Sequence, residues 1–360
     1  MLRTQLGPEV KQHLKSKVHL ISASVSGAGQ RLRGLSRPNR VKRLRSRIAA
    51  AYPLDFNRTF FSLILIVGSA RSGTTWLAEV LNADNDYRVI FEPLHDRFGV
   101  LRQCGLPRYI RPDNDDPELM SAVGAVLLGR FKSDRWTGRL NARIISSSRI
   151  VKDVQSNLRI GWMRAQFPDF PIVLIVRHPL ATAASRLRAG FHQPFDRHID
   201  DLLEDRLLVD DHLGPMEAEL RRLTTDFEWA IARWCIETYV PLRQSAVGNR
   251  IAVLFYEHLV MDPDKGIEDI FRAVRREPPA AAYERFSVPS RSSFRGDRPL
   301  RSPADAISEW QNLLTTEQIE RGLELVATFG LDKLYGPEIE PRLPNFPAGM
   351  GGSSSECWIP

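Results

Sequence analysis

The stretch LILIVGSARSGTTWLAEVL, Leu63 to Leu81, runs from an uninterrupted apolar segment into a glycine, with a second glycine five positions later. An apolar run this short, without polar alternation, has the length and pattern of a strand buried on both faces. Beyond Gly73 the apolar positions shift to helical spacing from Thr74 to Asn82. A strand, a glycine-bracketed turn and a helix together make an anion site. The tight turn exposes backbone N–H groups, and the helix presents its positive dipole end. Such a unit belongs to a parallel sheet, which narrows the fold class before any other residue is read.

Further β-branched runs extend the pattern: Tyr87–Phe91, Arg149–Asp153, Pro171–Val176 and Arg250–Tyr256. Helical patterns lie between them, at Asn157–Phe167, Leu180–Ala189 and Asp226–Ser245. Apolar strands alternating with helices predict an α/β chain, a three-layer P-loop-like fold with a central parallel β-sheet flanked by helices. Ligands of such sheets bind beyond the carboxyl ends of the strands. The residues there are Gly68–Thr75, Glu92, Lys152, Arg177 and Glu257. Two stretches fit the alternation poorly and read as insertions, Leu94 to about Ser148 and Phe191 to about Thr225. The charge run DRHIDDLLEDRLLVDD in the second reads as a solvated helix face.

Charge divides the chain unevenly. Residues 1–60 hold thirteen Lys and Arg against Glu9 and Asp55, a surplus of +11; the whole chain is +7, so the other 300 residues are net −4. The basicity therefore belongs to a leader, and the high isoelectric point is no argument for nucleic-acid binding. That leader could rest on anionic lipid, meet an acidic acceptor or nucleic acid, or be a solvated arm with no partner. The expected organisation is a basic leader over 1–55, poorly ordered or membrane-proximal, a catalytic domain over 56–340 and a loose Pro/Gly/Ser tail over 341–360. No apolar run approaches the ~20 residues that span a bilayer, and residues 1–20 lack the unbroken core of a signal peptide. Cys104, Cys235 and Cys357 are few, odd in number and far apart, which fits a reducing compartment. A cytoplasmic protein is expected, with peripheral contact at the inner face of a membrane as one reading of the leader. No His/Cys pattern suggests a metal site.

The glycine loop lacks the lysine of G-x-x-x-x-G-K-[ST]; Thr74 stands in its place, and Arg71 lies inside the loop. The run Pro171–Val176 ends in Arg177–His178, where a Mg²⁺-binding acid would be wanted. Both features point away from hydrolysis of a Mg²⁺-bound triphosphate. A sulfuryl group carries one negative charge fewer than a phosphoryl group, so cationic side chains and backbone dipoles can stabilise its transfer without a metal.

At these residues the chain resembles the sulfotransferases that use 3′-phosphoadenosine 5′-phosphosulfate (PAPS). GSARSGTTWL is similar to their 5′-phosphosulfate loop. VRHPLATAASR, with Arg177, Pro179 and Ser185, resembles their strand–Arg–x₇–Ser–helix motif for the 3′-phosphate. VLFYEHLVMDP resembles the segment whose tyrosine lies near adenine, here Tyr256. RSSFRGD partly matches an Arg-Lys-Gly-x-x-Gly-Asp segment, keeping Arg291 but with Ser292 and Ser293 in place of Lys-Gly. The resemblance covers about Phe60 to Tyr335. It implies that Arg71 neutralises charge on the sulfuryl and leaving oxygen, as the family's loop lysine does. Ser72, Gly73, Thr74 and Thr75 would cradle the 5′-phosphate, Trp76 would stack on adenine, and Arg177, Ser185 and Arg291 would grip the 3′-phosphate. PAPS would be the co-substrate and the bisphosphate PAP the product, with no metal.

The family's cytosolic members take their base from Lys-Thr-His; here the segment is VKDV, with Lys152 kept and Val154 where the histidine would be. Carbohydrate and tyrosyl-protein sulfotransferases more closely resemble FEPLHD, which implies Glu92 as the base, with His95 and His192 as runners-up and Lys152 as a helper at the sulfuryl. The implied acceptor is a hydroxyl on a glycan, glycolipid or glycosylated metabolite. Two other readings stay open: a catalytically silent nucleotide-binding or membrane-docking protein on this fold, and a kinase with a degenerate loop. Acceptor identity, regiochemistry and oligomeric state are not encoded in any pattern read here.

Overall fold

The computed structural model describes residues 53–190, 199–245, 251–290 and 307–343. Residues 1–52 of the expected leader, the tail beyond 343, His192, Arg291 and Cys357 lie outside the described residues. Five parallel strands form the central sheet: β1 (Leu63–Val67), β2 (Tyr87–Phe91), β3 (Ser148–Lys152), β4 (Ile172–Val176) and β5 (Ile251–Phe255). Their order across the sheet is β2-β3-β1-β4-β5. Each is an apolar run that the sequence marks out, with ends that differ by at most one residue from those expected. Register aligns the carboxyl ends: Phe91 faces Lys152, Ile66 faces Lys152, Val67 faces Leu174 and Val176 faces Phe255. The residues after the strands are thereby brought to one rim.

Alternate strand residues enter separate cores, because successive side chains point to opposite faces. Leu63, Leu65, Leu174, Val176, Val253 and Phe255 face one layer of helices. It comprises α2 (Pro117–Leu127), α3 (Ile160–Gln166), α4 (Pro179–Arg188), α5 (Asp226–Ser245) and α9 (Thr316–Thr328). Ile64, Ile66, Val173, Ile175 and Leu254 face the other layer, formed by α1 (Thr74–Leu81), α6 (Tyr256–Met261), α7 (Pro263–Ala273) and α8 (Ala280–Phe286). The expected three-layer α/β arrangement is the observed one. A small third cluster, Val89, Phe91 and Leu140 with Trp136, sits on the edge strand β2.

Local signals set the helix starts. Asp116 accepts hydrogen bonds from Glu118 N and Leu119 N ahead of α2, with Pro117 at the first helical position. Thr315 and Gln318 form a reciprocal capping box at α9.

The two insertions are joined by polar contacts. Arg108 pairs with Asp96 at 2.7 Å and Asp201 at 2.6 Å. Asp211 accepts from Arg111 Nη2 at 2.6 Å and from the Tyr109 hydroxyl at 2.9 Å, while Asp205 caps a helical turn at Leu208 N. Asp200, Asp201, Glu204, Arg206 and Asp210 of this acidic run are exposed, as expected of a solvated helix face. Two of its carboxylates, Asp201 and Asp211, additionally meet arginines of the first insertion, and Leu202, Leu203 and Leu208 beside them are buried.

At the opposite end of the sheet, Leu54–Asp55 pairs in parallel with Ile145–Ser146. Ordered packing thus begins before residue 56, the boundary expected from composition. Arg149 Nε donates to Asp55 at 3.1 Å, and Arg88 Nη1 lies 3.7 Å from the same carboxylate, with all three side chains at 2% exposure or less. Burial pushes the Arg88 guanidinium down to about 10, against the pull of Asp55. Removing one partner of a buried pair strands the remaining charges. Asp55→Ala is therefore expected to destabilise the fold by about 3–5 kcal/mol, read as a lowered urea midpoint; a loss under ~1 kcal/mol would show that the network is solvent-screened.

Candidate active site

The glycine loop is held at both glycines. Gly68 N donates to Asn157 Oδ1 at 2.8 Å, and a Cβ at Gly68 would sit 2.4 Å from the Ile175 carbonyl oxygen. Gly73 caps α1 with φ +97°, and a Cβ there would lie 2.8 Å from the Tyr256 ring. No other residue type satisfies both the backbone and the space. Between the glycines Arg71 also adopts left-handed backbone, φ +76°. The Ser72 hydroxyl is fully buried with no hydrogen-bond partner among the described residues, and Thr74 and Thr75 are buried beside it. A buried orphan hydroxyl in a ring of loop amides suits a phosphate oxygen.

Beneath the loop lies a network that motif reading missed. Arg186 Nη2 donates to Ser69 Oγ at 2.7 Å and to Glu237 at 2.8 Å; Arg186 Nε donates to Ala70 O at 3.2 Å. Ser69 donates to Glu237 at 2.7 Å, and Arg233 pairs with the other Glu237 oxygen at 3.0 Å. Burial raises the Glu237 pKa, but Arg186 and Arg233 outweigh it and hold the carboxyl below its ordinary value. The only sequence signal was helical phase: Arg233 and Glu237 are four apart on α5, and Arg186 follows Ser185 on α4.

Residues from the two main motifs meet. Arg71 Nε donates to Ser185 Oγ at 3.0 Å, and Arg177 Nη1 donates to the Arg71 carbonyl at 3.2 Å. The Arg177 guanidinium lies 5.0 Å from the Tyr256 ring centre, and Trp234 Nε1 holds its carbonyl at 2.9 Å. Burial, then the charges of Arg177, Arg188 and Arg186, push Arg71 down to about 10. So much positive charge in one place suits a polyanion. Trp76 is placed in the core, 3% exposed, edge-on to Tyr256 and Phe286, with its indole N–H on the Phe286 carbonyl.

Two strands away, Glu92 ends β2 in left-handed backbone, φ +41°, and is 7% exposed. Its carboxylate pairs with Lys152 Nζ, and its amide donates to the Lys152 carbonyl at 2.6 Å. Of four non-glycine residues with positive φ among the described residues, two are Arg71 and Glu92. Strained backbone of this kind concentrates where geometry serves function. Asp153 fixes the segment by accepting from Leu94 N at 2.8 Å; burial and the nearby Glu92 charge raise its pKa. His95 is engaged by Asp96 at 2.8 Å and lies against Phe98 and Trp136.

Glu257, prominent by its strand-end position, serves the fold. It accepts from His178 N and from the Tyr335 hydroxyl, both at 2.8 Å, and is wholly buried. Among the described residues no cluster of three metal-ligating side chains occurs, and no helix is long and apolar enough to cross a membrane.

A protein-family model described as the sulfotransferase family matches residues 64–277. The nodulation protein NoeE of Sinorhizobium fredii is 24% identical over 286 residues, covering 73% of this chain and 63% of NoeE. The chain thus spans less than two thirds of that relative. Among solved structures, the sulfotransferase domain from the curacin biosynthetic pathway is similar with TM-score 0.44 and 14% identity, over 77% of this chain and 98% of that one. Mouse sulfotransferase SULT7A1 complexed with PAP is similar with TM-score 0.42 and 14% identity, over 76% and 85%.

His178, next to Arg177, gives the rim a pH dependence. Burial pushes its pKa from 6.5 down to about 4, so the folded state holds it neutral while the unfolded chain protonates it. Stability is then full above pH 6.5 and falls as pH drops toward 4. The expected loss between pH 7 and pH 4.5 is about 2–3 kcal/mol. His178→Asn, which keeps a capping acceptor for Leu180 N, should flatten this slope in urea titrations; an unchanged slope would assign it to other groups.

Proposed function

The chain belongs to the sulfotransferase family, and on that premise we propose that it transfers a sulfuryl group from PAPS to a hydroxyl of a carbohydrate-bearing acceptor. The observation that carries this reading is the junction of Arg71, Ser185 and Arg177 at the mouth of a lysine-free glycine loop. It supplies backbone amides and hydroxyls for one phosphate and arginines for a second. Ser72, Gly73, Thr74 and Thr75 hold the 5′-phosphate; Arg177 and Ser185 hold the 3′-phosphate. Tyr256, under Arg177, borders the adenine side, with Trp76 behind it. Arg291 belongs to the same proposed donor site.

The acceptor oxygen forms a bond to sulfur as the bond from sulfur to the 5′-phosphate oxygen breaks, and PAP departs with that electron pair. Arg71 stabilises the charge gathering on the sulfuryl and the leaving oxygen. Glu92 takes the hydroxyl proton. Its partner Lys152 pairs with the carboxylate at rest and moves toward the sulfuryl oxygens as Glu92 takes the proton. The Phe91–Asp96 segment, which resembles that of the carbohydrate sulfotransferases, supports a carbohydrate-type acceptor.

Calorimetry is expected to show PAP binding tighter than Mg·ATP, and the opposite order would end this reading in favour of a kinase. With radiolabelled PAPS and an extract of the source cells as acceptor, Arg177→Ala should mainly raise the KM for PAPS. Arg71→Ala should mainly lower kcat, and Glu92→Gln should lower kcat by about 10²–10⁴ while PAP affinity holds. Glu92→Gln with undiminished turnover would remove Glu92 as the base.

A further inference from the structure

The edge strand carries side chains that the donor half leaves unused. Phe91 and Trp136 meet edge to face at 5.2 Å, and Phe98 lies against Trp136 at 4.6 Å with planes 36° apart. The Trp136 indole N–H donates to the Glu92 carbonyl at 3.2 Å, which ties the ring to the residue assigned as base. Trp136 is half-buried, yet Phe98 is 50% exposed. An aromatic surface left open beside a reacting carboxylate is an apolar face with no partner in the fold.

Arg139 lies across the same rings. Its guanidinium carbon is 4.1 Å from the Phe91 ring centre and 5.1 Å from that of Trp136. The residue is exposed, and among the described residues no carboxylate lies within ion-pair distance of it. Lys152 Nζ is 4.6 Å from the same Phe91 ring. One ring thus has as neighbours both the ammonium that serves Glu92 and a guanidinium without a counter-ion. Cation–π contact holds the guanidinium in place while leaving its N–H fork open for an anion.

We infer that Phe98, Trp136 and Arg139 form an acceptor subsite for an acidic sugar. The apolar face of a pyranose ring stacks on the exposed aromatics, Arg139 binds its carboxylate, and a hydroxyl of that ring or its neighbour reaches Glu92. The inference rests on the reading of Glu92 as the acceptor-side base. It adds that the enzyme selects an anionic carbohydrate over a neutral one.

Binding of methyl β-D-glucuronide and methyl β-D-glucoside to the full chain, with PAP present, is measured by ligand-observed saturation-transfer NMR. The glucuronide is expected to bind at least about tenfold tighter, as one charge-assisted fork contact implies. Arg139→Gln should bring the two affinities together, Arg139→Lys should keep part of the preference, and Trp136→Ala should weaken both sugars. PAP affinity, measured by calorimetry on each variant, reports the donor half and the fold. Failure of the wild-type chain to bind PAP would overturn the donor reading and leave the sugar comparison to be read without PAP. Equal binding of the two sugars, no binding of the glucuronide, or a preference that survives Arg139→Gln overturns the subsite.

Discussion

The buried contact of Arg186 with Glu237 governs the donor end of the sheet. Arg71, Arg177, Arg186 and Arg188 gather there, and mutual repulsion would splay them in the absence of a carboxylate at the centre. Glu237 accepts from Arg186, Ser69 and Arg233, so one residue on α5 fastens α4 and the underside of the loop together. A buried ion pair of this sort is weak support for stability in itself, since desolvation offsets much of the attraction. Its clearer consequence is shape: the loop is pinned from below by Ser69 and from the side by Asn157, so that contacts within the fold hold its amides in place. Preorganised dipoles need no rearrangement at the moment of reaction.

The acceptor side is held by different means. Glu92 sits on the edge strand, and its left-handed backbone turns the chain so that Leu94 N reaches Asp153 while its own carboxylate reaches Lys152. Lys152 ends β3, which lies between β2 and β1. The lysine therefore stands between Glu92 and the loop, within the reach of either. A charge that only rebalances between neighbours avoids the large cost of exposing an unpaired buried ion.

Most of the sheet was legible because its strands are short β-branched runs buried on both faces, a pattern that depends on local sequence alone. The loop and the Arg177–Ser185 pair were legible for a related reason: each motif carries its chemistry within a dozen residues. What was not legible depended on partners distant in the chain. Asn157 on Gly68, Glu237 under Ser69, and Asp211 with Arg111 are each joined across 89 to 168 residues. The acidic run was legible as a solvated face, but nothing near it in sequence discloses the arginines that meet Asp201 and Asp211. Glu257 stood out by position, yet its role lies with His178 and Tyr335, which only the folded chain assembles.

The flush ends of the parallel strands have an effect on how such an enzyme can diversify. The glycine loop occupies the middle of the rim, where Ser69, Arg186, Glu237 and Arg233 form one buried network and a change in one disturbs the rest. The edge strand and the two insertions border the other side; the insertions are tied to each other through Arg108, Arg111, Asp201 and Asp211, and their apolar residues enter the main core. Exposed side chains of that border can accordingly change with little effect on the buried centre of the rim, whereas the apolar residues that anchor the insertions cannot.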